Sequence, residues 1–137
     1  MVDWMVQVFN VLKMLSTKTF FISVAMMDLF FEEAQKNNIS LQSDLLYLIG
    51  MTSVFIACKH EEVNPLGIRL VEDTLGHKKY TKAQILTMER KILEATQFKV
   101  PKTTIFEETI IKLRYLQSLL SSEIFEEELC ISLYPRI

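Results

Sequence analysis

Few residues in this sequence could carry chemistry, and their spacing excludes most reactions. His60 and His77 are the only histidines, and Cys58 and Cys130 the only cysteines, among 137 residues. A serine or cysteine nucleophile needs a base held within hydrogen-bond reach, and none here stands in a motif that supplies one. No glycine-rich phosphate loop is present. Neither cysteine belongs to a C-x-x-C pair or a Cys/His cluster, so no metal ligand set is expected, and both read as free thiols in a reducing compartment. Glu61 and Glu62 supply paired carboxylates, but adjacent residues on a helix point in different directions and cannot flank one bond. They read as a solvated helix end. We therefore expect no enzyme, no metal and no cofactor.

Two charges stand in apolar surroundings instead. Lys59 closes a long apolar run, with Phe55 and Ile56 one turn before it and Val63 one turn after. Glu89 has Ile85, Leu86, Ile92 and Leu93 as its one-turn neighbours, which places a carboxylate inside an apolar stripe. Such charges cost free energy unless they are paired, so the two are expected to approach each other or to meet polar groups of a partner. Spacing alone leaves open a third case, in which both are ordinary snorkelling side chains at a bundle edge.

The elements that must position these charges are all helical. Val2, Met5, Val8, Phe9, Leu12 and Leu15 recur at steps of three and four, predicting a first helix over 1–15. Ser16 or Thr17 caps a second helix that runs to Lys36 and is broken by Asn37-Asn38. A third helix is expected from Ser43 to Glu62. Its stretch from Leu45 to Cys58 is apolar or small on every side, so it belongs at the centre of a bundle. A short fourth helix opens near Pro65 and ends at Gly76, a residue suited to a left-handed helix terminus. Thr81 caps a fifth helix reaching Phe98, and Pro101 prevents its continuation. A sixth helical stretch covers 103–120, and 121–137 reads as one more helix with an untethered end. With no alternating strand pattern, the expected fold class is all-α, a bundle packed around the third helix.

Composition narrows the possible partners. Half of the residues are hydrophobic, and there are only three glycines and three prolines, so the chain can bury a core of its own. The formal net charge is -2, with 15 basic and 17 acidic residues, which provides no field for a phosphate backbone and argues against nucleic acid. The uncharged run Leu45–Cys58 falls short of the roughly 20 residues that a membrane span needs, and Asp28 interrupts the other apolar run. The opening Met1-Val2-Asp3-Trp4 lacks the basic region and cleavage site of a signal peptide, so nucleus or cytoplasm is the expected location.

Several of these segments resemble a known family. Val2-Asp3-Trp4-Met5-Val6 is similar to the "LVDW" opening of the cyclin box. Leu48-Ile49-Gly50, followed by Ile56-Ala57-Cys58-Lys59-His60-Glu61-Glu62, resembles the family's third-helix signature. Tyr80-Thr81, Met88-Glu89, Ile92-Leu93 and Phe98 resemble its fifth helix. The resemblance covers roughly residues 1–100, and within the family it points most to the mitotic A- and B-type group.

The resemblance implies a five-helix cyclin box over 1–100, with 101–137 as a C-terminal helical extension. Pro101, Thr103 and Phe106 look like the start of a second cyclin fold, of which too few residues follow to complete it. The chain then reads either as a trimmed fragment or as a one-box protein whose residues 103–133 lie back on the box. Left uncovered, Leu113, Leu116, Leu120, Ile124 and Phe125 would favour self-association. The resemblance also implies a regulatory subunit that binds a cyclin-dependent protein kinase and activates it by positioning its regulatory helix. Lys59 and Glu89 would centre the kinase-binding face, with Ile56, Ala57, Leu93 and Phe98 as apolar anchors and His60 where the family often has an aromatic. Trp4 would be the remnant of a substrate-docking patch, with Gln7 where an acid is frequent. The alternative is a cyclin-like scaffold that binds another protein or a transcription complex without activating a kinase.

Overall fold

Helix α3 (Leu46–Glu61) has no polar side, and the other elements are arranged to cover it. Every residue from Leu48 to Cys58 is buried. The computed structural model describes residues 1–120. Two hydroxyls inside α3 are satisfied locally, since Thr52 Oγ1 donates to Leu48 O at 2.6 Å and Ser53 Oγ donates to Ile49 O at 2.8 Å. Back-bonding of this kind lets a polar residue sit in an apolar core without a partner on another element.

Helix α2 (Thr17–Lys36) lies along α3 and buries Phe20, Ile22, Met26, Met27 and Phe30. Ser16 is its N-cap and accepts from Thr19 N. Asn38 ends it in the left-handed region, at φ 51°, where asparagine is better tolerated than most residues. Helix α1 (Val2–Val11) covers a further side of the core with Met5, Val8 and Phe9. It is shorter than the sequence pattern suggests. Leu12 and Leu15 are still buried, but from a turn, because the chain must reverse before Ser16 can cap α2.

Beyond α3 the chain makes one α-helical turn, α4 (Ile68–Leu70), that continues as a π segment over Val71–Leu75. Gly76 closes it, but for a reason other than the expected left-handed terminus. Its φ is -82°, and the left-handed residues are His77 and Lys78, at 44° and 59°. Glycine is needed there because a Cβ would lie 2.8 Å from the backbone oxygen of Glu72. Helix α5 (Lys82–Ala95) begins with a full capping box between Thr81 and Gln84. It stops short of the expected Phe98, since Gln97 and Phe98 are both left-handed and Phe98 N bonds back to Leu93 O at 2.7 Å.

Helix α6 (Ile105–Leu120) touches the bundle through its first turns. Phe106 stacks on Phe21 with centroids 5.3 Å apart, and Ile110 is buried. Ile111, Tyr115, Leu116, Leu119 and Leu120 stay exposed, so the expected folding back of 103–133 is met only at the start of this segment. Ile124, Phe125, Cys130 and the helix expected over 121–137 lie outside the described residues. Among the described residues there is no strand, and no helix is long and apolar enough to cross a membrane.

The junction of α2, α3 and α6 is electrostatic. Glu62 Oε1 accepts from Ser16 N at 2.7 Å and from the Thr19 hydroxyl. Lys18 Nζ bridges Glu61 at 3.1 Å and Glu107 at 3.0 Å. Glu61 and Glu62 are therefore not a solvated helix end, as the sequence suggests, but a clasp on the start of α2. Burial pushes the Glu62 carboxyl up, yet the hydrogen bonds from Ser16 and Thr19 outweigh it and hold the group below its usual range.

Two predictions follow from this architecture. Gly76→Ala is expected to cost about 1–3 kcal/mol in urea denaturation, because the new methyl meets backbone that cannot swing aside. With its carboxyl depressed in the folded state, Glu62 contributes stability above its unfolded value near 4.5. That contribution is lost as pH falls through the lower folded value. Glu62→Gln should lower stability at neutral pH by about 1–2 kcal/mol and flatten the acid limb of a stability-against-pH curve.

Candidate functional site

Two helices that meet over the core, α3 and α5, each bring one charge to a shared edge. Lys59 sits at the point where α3 leaves the core. Everything before it back to Leu48 is buried, whereas Lys59 and His60 are exposed. Glu89 lies one turn from Ile85 and Ile92, both fully buried, so the helix that carries it is fixed by the core.

The structure brings the two together. Lys59 Nζ donates to Glu89 Oε1 in a direct ion pair, while the ammonium also lies 4.3 Å from the centroid of the Phe55 ring. The pair is asymmetric. The Lys59 side chain is 42% exposed and that of Glu89 only 12%. The lysine thus bridges from water to a nearly covered carboxylate, which fits the view that a charge in an apolar stripe needs a counter-ion.

The other sequence-assigned residues divide. Phe98 is 68% exposed, an unusual position for a phenylalanine, because the left-handed turn after α5 points it away from the bundle. Leu93 is half-buried and packs against the core edge. His60 and Val63 are exposed. Ile56 and Ala57 are 4% and 0% exposed and belong to the core in the free chain. Trp4 and Gln7 are on α1, away from this edge. Trp4 packs edge-on against Tyr47 at 5.5 Å and lies with Met1 over Gly50, where an added Cβ would meet the Met1 side chain first and Trp4 next, at 3.3 Å. Asp28 is exposed on α2.

Among the described residues no three His, Cys, Asp or Glu side chains converge as a metal site. Cys58 is buried, and desolvation pushes its thiol up to about 12, which leaves it un-ionised and unreactive at neutral pH. Sequence reasoning missed the Ser16–Thr19–Glu62 and Lys18–Glu61–Glu107 contacts. Ser16 was legible as a cap, but nothing in the sequence ties it to a glutamate 46 positions away.

This arrangement, an all-helical bundle with a buried third helix whose exit lysine meets a glutamate of the fifth, coincides with a family match. The model of the cyclin N-terminal domain covers residues 1–101, and the chain belongs to the cyclin family. It is 34% identical over 116 residues to cyclin-B2-1 of Oryza sativa subsp. japonica, covering 82% of this chain and 26% of that protein. It is 37% identical over 100 residues to the G2/mitotic-specific cyclin-B1 of Xenopus laevis, covering 73% and 23%. The G2/mitotic-specific cyclin-B of Dictyostelium discoideum is 34% identical over 104 residues, covering 76% and 22%. The chain spans about a quarter of the length of these relatives.

The asymmetry of the ion pair gives a test of its energetics. Lys59→Met should cost about 1–2 kcal/mol, because it strands a nearly covered carboxylate. Glu89→Gln should cost less than about 1 kcal/mol, since the freed ammonium keeps much of its water. Chemical denaturation of the two variants beside the wild type would show that order, and a larger loss for Glu89→Gln would contradict it.

Proposed function

We propose that this chain is a regulatory module that binds a cyclin-dependent protein kinase through the edge built by Lys59, Glu89, Leu93 and Phe98, with His60 at its margin. The observation that carries the reading is the preformed Lys59–Glu89 ion pair where α3 leaves the core, with an exposed phenylalanine at the turn that ends α5. Exposed, the Phe98 ring contributes nothing by burial to the free chain, and a partner that covers it would remove that apolar surface from water. A large aromatic that becomes desolvated at the centre of an interface is the usual source of binding energy. The charge pair can donate and accept hydrogen bonds to a partner's backbone.

Membership in the cyclin family supports a kinase as the partner. A kinase is active only when the helix that carries its active-site glutamate is in the inward position. A surface that binds that position better than the outward one shifts the population by its differential affinity, with no chemistry of its own. Ile56 and Ala57 then act from below, by fixing α3 so that Lys59 emerges at one place. The relatives' printed names support a cell-cycle role, and such a partner would place the chain in the nucleus or cytoplasm.

The test is capture of cyclin-dependent kinases by the purified chain, beside Lys59→Ala/Glu89→Ala and Phe98→Ala, with a kinase assay on the captured material. We expect capture and activation by the wild type. Each variant should lose at least about tenfold in affinity, with unchanged helical circular dichroism. Capture without activation would favour the scaffold alternative, and absence of capture by the folded wild type would remove the kinase reading.

A further inference from the structure

Helix α6 has two seams on opposite sides. Phe106, Ile110, Leu113 and Gln117, at steps of four, three and four, share the side that meets the bundle, and each is buried or partly buried. Leu113, expected from sequence to be part of a sticky surface, therefore belongs to the inner seam. On the other side Ile105, Glu108, Lys112, Tyr115 and Leu119 recur at alternating steps of three and four, and all five are exposed. The apolar three, Ile105, Tyr115 and Leu119, are 78%, 64% and 62% exposed. This spacing is the one with which a helix packs lengthwise along another helix. An apolar seam of that kind left in water marks an interaction surface.

The two charges within the outer seam decide what can cover it. Neither Glu108 nor Lys112 forms an ion pair among the described residues, although a spacing of four would allow one between them. An occupant that covered the seam would strand both charges unless it brought a cation and an anion one turn apart and in reverse order. A second copy of α6, lying antiparallel, brings them. Setting Glu108 opposite Lys112 of the second copy also sets Lys112 opposite its Glu108, so both pairs form at once. The same register sets Ile105 of each copy opposite Tyr115 of the other. In the neighbouring antiparallel register Lys112 would face Tyr115 and Glu108 would face Leu119, leaving each charge covered by an apolar side chain. A parallel pair would set glutamate on glutamate and lysine on lysine.

We infer that the outer seam of α6 is a self-complementary interface through which two copies of this chain pair antiparallel, about a two-fold axis level with Ile110. The interface uses no residue of the Lys59–Glu89 edge, so the inference is independent of the kinase reading.

Sedimentation equilibrium of the full chain tests it. The wild type should form dimers, and Tyr115→Glu should weaken them at least about tenfold by placing a charge against Ile105 of the other copy. Glu108→Lys and Lys112→Glu each set like charges opposite one another and should weaken association to a similar degree, with unchanged helical circular dichroism. Mixed in equal amounts, the two reversed variants should associate again, because each supplies the charge that the other lacks. That recovery distinguishes this pairing from non-specific stickiness of the apolar residues. A wild type that stays monomeric would overturn the interface. Association that survives both single reversals, or that mixing does not restore, would overturn the antiparallel pairing.

Discussion

A helix without a polar face has to be surrounded, and this constraint on α3 organises the molecule. Its buried stretch from Leu48 to Cys58 is covered by α1, α2, the π segment and α5, so each takes its position from the same central rod. Close packing makes that placement stiff, because a core at crystal-like density has few alternative arrangements. Two glycines stand at close approaches: Gly50 makes room for Met1 and Trp4, and Gly76 lets the chain pass Glu72.

The candidate site is a by-product of how this rod ends. Where α3 leaves the core its side chains change from apolar to charged within one residue, from Cys58 to Lys59. α5 is anchored by Ile85 and Ile92, so Glu89 is delivered to the same edge with little freedom. The geometry of the ion pair is therefore fixed by folding. The turn at Gln97 and Phe98 ends α5 and leaves a large apolar ring exposed.

The same end of α3 shows how neighbouring residues serve stability instead. Glu61 and Glu62 follow directly on Lys59 and His60, but they turn toward α2 and α6 and are consumed by Ser16, Thr19, Lys18 and Glu107. Charge density alone would have marked 59–62 as one surface. Contact geometry divides it into an outward pair of residues and an inward clasp. α6 shows the limit of such docking, because past Ile110 most of its apolar residues, Ile111, Tyr115, Leu116, Leu119 and Leu120, face water.

The sequence by itself determined the helical class, the central place of α3, the caps at Ser16 and Thr81, and the anomaly of Lys59 and Glu89. These are local matters of period, capping chemistry and polarity, all readable within one turn or one segment. Only the tertiary structure decided that Ile56 and Ala57 face inward while Phe98 faces out, that Gly76 is required by a close approach instead of a positive φ, and that Glu62 reaches back to Ser16. Composition cannot tell an apolar residue in the core from one at an interface, and helix ends are set by the turn that the next element demands. A contact between residues far apart in sequence exists only once the chain has closed the loop between them.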